Sequence, residues 1–286
     1  MTIHVVQSGE TVNSIAREYG VSPTRLVFDN GLRNPAELSV GQALVILYPA
    51  ETYTVQEGDT LYAIARQYGT TVMQLVRNNP MLAAVGVLYP GQTLVIRFTD
   101  EKLGSMAING YAYPYIDHTV LRRTLPYLTY LSIFTYGFDG ETGELSEIND
   151  GPLIELAREY GVAPVMMIAP MNMEGQFSNE LAKKLFRDEA LQRAVIANIV
   201  DTVERKKYEA VDVDFEYVYP EDRELFVQFV ENLKAALSPL GYQVFVALAP
   251  KTDAAQAGLL YEGHDYEAMG AVADRVLLMT YEWGYT

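Results

Sequence analysis

Residues 208–218 read Tyr-Glu-Ala-Val-Asp-Val-Asp-Phe-Glu-Tyr-Val, an alternation of acidic and apolar side chains. Side chains on a strand point alternately to its two faces, so Asp212, Asp214 and Glu216 share one face while Val211, Val213 and Phe215 share the other. The apolar set is expected against covering helices, which turns the acids inward. Successive carboxylates ~7 Å apart on an enclosed face repel one another and resist desolvation, so at least one should keep a proton near neutral pH. A protonated carboxyl group is what general-acid cleavage of a glycosidic bond requires. Glu216 stands nearest the C-terminal end of the strand, where parallel barrels open their sites, and is the expected acid. Two other readings of these residues stay open. One is a divalent-cation site, since carboxylates also hold Mg²⁺ or Mn²⁺; the other is a solvated acidic edge, which the interleaved apolar residues disfavour. A Ser-His-Asp hydrolase is disfavoured too, because the chain has no G-x-S-x-G and no His after a plausible nucleophile elbow.

The elements that must carry this strand form a β/α alternation. Apolar, β-branched and aromatic runs at 105–116, 127–137, 163–171, 208–218, 242–250 and 273–283 predict six strands. The clearest intervening helices are 152–160 with Gly161 as a stop, 189–207, and 222–237 with Gly241 beyond it. Nearly continuous apolar strands between helices indicate a parallel sheet covered by helices. Such a sheet is either open and doubly wound or closed as a (β/α)8 barrel. No G-x-G-x-x-G or G-x-x-x-x-G-K-[ST] follows the first strand, which removes the usual nucleotide-binding reason for the open form.

Composition narrows the function classes. The chain of 286 residues is 49% hydrophobic, 11% aromatic and 20% charged, enough for a sizeable core and room for two or three domains. A net charge of -16 works against a phosphate-backbone partner, so nucleic acid is not expected. No Cys is present and the three His (His4, His118, His264) are scattered, so no metal site and no cofactor are expected. No run reaches the ~18–20 apolar residues of a membrane span, and the first residues lack the basic and apolar regions of a signal peptide. The acidity is uneven: residues 1–98 hold six Arg and no Lys against seven acids, while 99–286 hold 15 basic and 30 acidic residues. The shift falls at Thr99-Asp100-Glu101-Lys102, the expected domain boundary.

The first part repeats itself. Val6-Gln7-Ser8-Gly9-Glu10-Thr11 recurs as Val55-Gln56-Glu57-Gly58-Asp59-Thr60, and Ile15-Ala16-Arg17-Glu18-Tyr19-Gly20 as Ile64-Ala65-Arg66-Gln67-Tyr68-Gly69. The match continues through Asn30/Asn79 to Leu44-Val45-Ile46 and Leu94-Val95-Ile96, which marks a duplicated module. Each copy reads as strand, helix, helix, strand, with Thr11 as N-cap, Gly20 at the helix stop, and Ser22-Pro23 opening the second helix. A unit this small has a tiny core and no catalytic constellation, so binding or tethering is its expected role. Both copies resemble LysM domains, small α+β (βααβ) modules that bind N-acetylglucosamine-containing glycans. The resemblance implies a glycan groove at Gly9, Glu10, Thr11, Val12, Asn30 and Leu32 in the first copy. In the second it implies Gly58, Asp59, Thr60, Leu61, Asn79, Pro80 and Leu82. Gly31 stands where the second copy has Pro80, so the second copy is the expected better binder; capping alone would also explain Thr11 and Thr60.

The acidic strand is in turn similar to the D-x-x-D-x-D-x-E signature of family 18 glycoside hydrolases, the chitinase-like TIM barrels, and Met279-Thr280-Tyr281-Glu282-Trp283 resembles that family's M-x-Y-D on the sixth strand. With two LysM copies ahead of it, the architecture resembles bacterial spore-germination, cortex-lytic N-acetylglucosaminidases. The family's mechanism is substrate-assisted: the sugar's 2-acetamido oxygen attacks the anomeric carbon and the configuration is retained. The resemblance implies that Glu216 protonates the leaving oxygen and later activates water, that Asp214 orients the acetamido group, and that Asp212 shares charge and a proton with Asp214. It further implies that Tyr281 hydrogen-bonds the acetamido carbonyl and that Met279 packs beneath the sugar, with Tyr111, Trp283 and Glu282 contributing substrate contacts. Tyr111 and Tyr136 are each either a pocket aromatic or a core residue. Glu209 and Glu282 depart from the family pattern, which has Asp at both places.

These readings divide the chain into a LysM module at 1–48, a second at 52–98, and a hydrolase barrel at 103–286. The last segment is short of the ~250 residues a (β/α)8 barrel typically takes, so the barrel is expected to be truncated after strand six, which puts activity in doubt. The expected partners are peptidoglycan or chitin strands, the expected setting a spore or cell wall, and the competing function a catalytically silent glycan-binding protein on the same fold.

Overall fold

The computed structural model describes residues 1–83, 86–100 and 104–280. The chain divides into two compact units, residues 1–106 with 117–127, and residues 107–116 with those from 128 on.

The first unit holds both repeats. In the first copy β1 (Thr2–Val5) pairs antiparallel with β2 (Ala43–Ile46), with α1 (Val12–Tyr19) and α2 (Pro23–Asp29) between them. The second copy pairs β3 (Pro49–Thr54) with β4 (Thr93–Phe98) around α3 (Leu61–Gln67) and α4 (Val72–Asn78). Its first strand therefore begins three residues ahead of the expected boundary. The caps are those read from sequence. Thr11 accepts from Ser14 N and forms a capping box, Ser22 accepts from Arg25 N with proline at the first helical position, and Gly20 closes α1 at φ 66°. Each module has its own small core, Ile15, Leu26, Leu44 and Ile46 in the first and Ile64, Leu75, Leu94 and Ile96 in the second. Helix α5 (His118–Thr124) belongs to the same unit, where Arg77 Nε donates to the Pro126 carbonyl.

Among the described residues the second unit is a parallel sheet of six strands: β5 (Asn109–Ala112), β6 (Tyr130–Tyr136), β7 (Ala163–Ile168), β8 (Ala210–Val213), β9 (Gln243–Leu248) and β10 (Arg275–Leu278). The strands lie side by side in sequence order and all are parallel. A doubly wound sheet reverses its strand order at a switch point, and this one does not. The sheet also curls. Tyr111 on β5 reaches Asp212 three strands away on β8, and Arg275 on β10 reaches the Tyr130 hydroxyl on β6, four strands away. At ~4.8 Å per strand a flat sheet would separate these pairs by roughly 14 and 19 Å, beyond the span of the side chains. Around the convex face run α6 (Gly151–Glu159), α7 (Asn179–Arg187), α8 (Glu189–Lys206), α9 (Arg223–Leu237), the short α10 (Leu259–Glu262) and α11 (Tyr266–Val272). Gly161 at φ 69°, Lys207 at φ 63° and Gly241 at φ 89° stand just beyond three of these helices. No helix among the described residues is long and apolar enough to cross a membrane.

Candidate active site

Strand β8 lies inside the sheet, with Asp212 opposite Met167 of β7 and Phe245 of β9. It is shorter than its apolar run implies. After Val213 one further bond, Asp214 N to Ile168 O at 3.0 Å, continues the pairing, and the chain then leaves the sheet. The apolar face nonetheless continues past the last strand bond. Val211, Val213 and Phe215 are fully buried, and the Phe215 ring lies 5.6–5.8 Å from those of Phe186, Phe226 and Phe229 on the helices. Asp212 and Asp214 are buried as well, at 1% and 5% exposure, and Glu216 is half-buried.

Asp212 is held from two other strands. Its Oδ2 accepts from the Tyr111 hydroxyl at 2.8 Å and the Ser132 hydroxyl at 2.9 Å, and the Asn109 amide donates to Ser132 at 3.0 Å. Its Oδ1 has no hydrogen-bond partner among the described residues. Burial raises its carboxyl above the ordinary range, and the Tyr111 and Ser132 hydrogen bonds pull less strongly the other way. A proton taken up by this carboxyl has its place on the bare Oδ1, because Oδ2 already accepts two donors. The acids do not form a three-ligand cluster; among the described residues, three metal-ligand-type atoms come within 4.8 Å of one another only at His4, Glu10 and Glu18.

Aromatic rings lead outward from Tyr111. Phe134 lies 5.7 Å from it, Tyr113 stacks on Phe134 at 4.6 Å, and the exposed Tyr115 stacks on Tyr113 at 5.1 Å. Met279 follows β10, its N–H donating to Leu248 O at 3.0 Å, and is buried beside Ala247 and Ala249. Tyr281, Glu282 and Trp283 lie outside the described residues. Of the two roles open to Tyr136, it takes the core one. It is 1% exposed, and its hydroxyl bonds to Asp150, which also accepts from Tyr208 and Lys206.

Sequence reasoning missed the support behind Glu216. The His264 ring is fully buried; Ala249 N–H donates to its Nδ1 at 3.0 Å, so the ring proton sits on Nε2 and is donated to Phe215 O at 3.0 Å. Burial depresses its pKa to about 4, against the opposing pull of the Phe215 carbonyl. A Cβ on the neighbouring Gly263 would collide with Val218 O. Gly263 and His264 thus hold the backbone on both sides of Glu216. A lone Gly-His has no spacing to flag it, and its partners are backbone atoms remote in sequence. Ser132 and Asn109 were missed for a related reason: each is one polar residue in an apolar strand.

In the LysM modules most of the groove residues serve the fold. Thr11 and Thr60 cap α1 and α3. Glu10 accepts from Gln7 N and pairs with His4 Nε2 at 2.9 Å; Asp59 accepts from Gln56 N and from the Tyr53 hydroxyl at 2.8 Å, the same brace with the partner changed. Gly9 and Gly58 both take φ 84°, the left-handed conformation that favours glycine. Asn30 donates to Leu26 O and Val45 O and accepts from Val45 N. Asn79, fully buried, makes the same three bonds to Leu75 O, Val95 O and Val95 N. Val12 and Leu82 are buried in the module cores and Leu61 packs on one, so burial leaves Asn79, Val12 and Leu82 little surface to offer a glycan. Leu32 and Pro80 remain partly exposed.

The chain matches the LysM domain model over residues 4–47 and 53–97 and the glycosyl hydrolases family 18 model over 171–285. It is 39% identical over 290 residues to the cortical fragment-lytic enzyme of Bacillus anthracis, covering 99% of this chain and 66% of that protein. It is 37% identical over 293 residues to the cortical fragment-lytic enzyme of Bacillus subtilis (strain 168), covering 100% and 67%. The crystal structure of the Bacillus megaterium QM B1551 spore cortex-lytic enzyme SleL superposes with a TM-score of 0.76 at 30% identity, covering 99% of this chain and 67% of that one. The chain thus spans about two thirds of the length of the curated relatives it matches. The duplicated module, the curled parallel sheet with its inward acids and these likenesses agree: the chain belongs to the glycosyl hydrolase family 18 proteins that carry LysM domains ahead of the hydrolase domain.

Proposed function

We propose that the protein hydrolyses N-acetylglucosaminyl bonds of spore-cortex peptidoglycan by a retaining, substrate-assisted mechanism, with its LysM pair tethering it to the glycan. The observation that carries this reading is Asp212, buried in mid-sheet, bonded to Tyr111 and Ser132 through one oxygen, and raised in pKa by desolvation. The raised Asp212 carboxyl, when it holds a proton, can share it with Asp214, the next acid along the strand. Asp214 can then carry negative charge and orient the sugar's acetamido group while its oxygen attacks the anomeric carbon. Glu216, half-buried where the chain leaves the sheet, protonates the leaving oxygen and afterwards draws the proton from the attacking water. Tyr111 holds Asp212, and Tyr113 and Tyr115 extend an apolar face along which sugar rings pack. Tyr281 is assigned the acetamido contact by the family pattern alone.

The names of the relatives support the cortex as substrate, and their match along nearly the whole chain supports a (β/α)8 barrel of which the six parallel strands are a part. The same reading places the protein at a spore or cell wall and divides it at 1–48, 52–98 and 103–286. The test is turnover of cortex fragments and of a chromogenic N-acetylglucosaminide. Glu216→Gln should abolish both, since an amide cannot donate the proton, and an unchanged rate would refute the assignment.

A further inference from the structure

A half-buried arginine, Arg25, bridges the two LysM modules. Arg25 of α2 donates to Asn79 Oδ1 at 3.2 Å and to Asn78 O at 2.9 Å, both in the second module, while pairing with Asp29 at 2.7 Å in its own. Burial lowers the Arg25 pKa and Asp29 opposes the shift. A second arginine, Arg77, ties the segment after α5 to the second module through Pro126 O. These contacts bring the α2–β2 loop of the first module, the turn after α4 in the second, and the end of segment 117–127 around one cleft of about 360 Å³. That volume is within the ~300–1,000 Å³ range of small-ligand sites.

The lining is informative. Leu32 and Pro80, two of the groove residues that remain partly exposed, both line it, one from each copy. Phe28 and Tyr127 supply aromatic surface at 42% and 41% exposure. The charged lining residues are Arg33 and Arg123, both exposed and neither in an ion pair or side-chain hydrogen bond among the described residues. Two uncommitted arginines beside aromatic and apolar surface, in a chain of net charge -16, fit a ligand that combines sugar-like faces with carboxylates.

We propose that this cleft is a single composite site, built by both LysM modules and the 117–127 segment, for an N-acetylamino-sugar strand bearing carboxylates, which Arg33 and Arg123 receive. The proposal rests on the reading of the LysM pair as a glycan tether. It adds that the tether discriminates: a muramyl-containing strand, with lactyl or peptide carboxylates, engages both arginines, whereas a neutral N-acetylglucosamine oligomer engages only the apolar floor. It also makes the repeats one binding unit in place of two independent ones.

The test is calorimetric titration of the chain, in a Glu216→Gln background to prevent turnover, with a muramyl-containing peptidoglycan tetrasaccharide and with the neutral N-acetylglucosamine tetramer. The muramyl ligand should bind roughly 3- to 10-fold more tightly, as two exposed ion pairs allow. That advantage should vanish in Arg33→Gln/Arg123→Gln and reverse in Arg33→Glu/Arg123→Glu, with circular dichroism unchanged. In the Glu216-containing chain, turnover of the small chromogenic N-acetylglucosaminide should be unaffected by either pair of substitutions. Equal affinity for both oligomers, or a muramyl preference that survives both double variants, would overturn the composite site and leave glycan tethering standing. Failure of both oligomers to bind would overturn the tethering reading and the site with it.

Discussion

Two buried groups of the hydrolase unit, His264 and Asp212, push stability in opposite directions with pH. His264 is fully enclosed and has its pKa depressed to about 4, against ~6.5 for a free histidine. Between those values the unfolded chain takes a proton that the folded one refuses, so the stabilisation is complete above pH ~6.5 and is lost as pH falls towards 4. A shift of that size corresponds to roughly 3 kcal/mol, with a slope of about 1.4 kcal/mol per pH unit inside the window. Asp212 has the opposite sign. Its folded pKa is raised, so its contribution is complete below the ordinary aspartate value and is lost as pH rises through the folded one. The wild-type profile therefore understates each effect, and the His264 term must be read by difference. A glutamine in place of His264 would keep an acceptor for Ala249 N–H and a donor for Phe215 O without titrating. The assay is urea unfolding of wild type and His264→Gln between about pH 4 and 7. The wild-type advantage should shrink by about 1.4 kcal/mol per pH unit below pH ~6.5 and be flat above it. A constant difference across the range would refute the assignment of His264 as a neutral, Nε2-protonated brace.

Gly263→Ala sets a Cβ against Val218 O and the Val218 side chain, neither of which is the free end of a flexible group. Steady-state kinetics should show kcat down by ~10-fold or more with KM less affected, as expected when a reacting group is displaced; wild-type kcat would show that the Val218 contact does not position Glu216. Asn79→Ala removes the amide that bonds Leu75 O, Val95 O and Val95 N in a fully buried place, and Arg25 loses an acceptor. Chemical denaturation should find the LysM unit destabilised by about 3 kcal/mol, and a loss under ~1 kcal/mol would contradict the role of the amide as a pin across the module.

What the sequence made legible follows from how local each signal is. The LysM caps at Thr11, Ser22 and Gly20 are properties of one turn of chain, and duplication displayed them twice. The acids are a period-2 pattern; Asp212 shows the inward face by bonding Tyr111 and Ser132, while β8 ends at Val213 and Glu216 lies beyond the sheet. Strand lengths were less legible. The run 105–116 yields only Asn109–Ala112 as strand, because apolar residues also cover loops at the strand ends. Repetition showed Asn30 and Asn79 to be important without showing why: both amides turn inward onto the β2 and β4 backbones. His264 and Ser132 carry no pattern at all, since each acquires its role from a group 49 or 80 residues away in the chain that only the curl of the sheet or a packed loop brings near.

The central claim is that the sugar's own acetamido group acts as nucleophile beside Asp214 while Glu216 handles the proton. The most direct test is the anomeric configuration of the first-formed product, followed by NMR during hydrolysis of an N-acetylglucosamine-containing glycan before mutarotation. A β-linked substrate should release the β-anomer, because two displacements at the same carbon retain configuration; initial release of the α-anomer would mean a single displacement by water and would contradict the account.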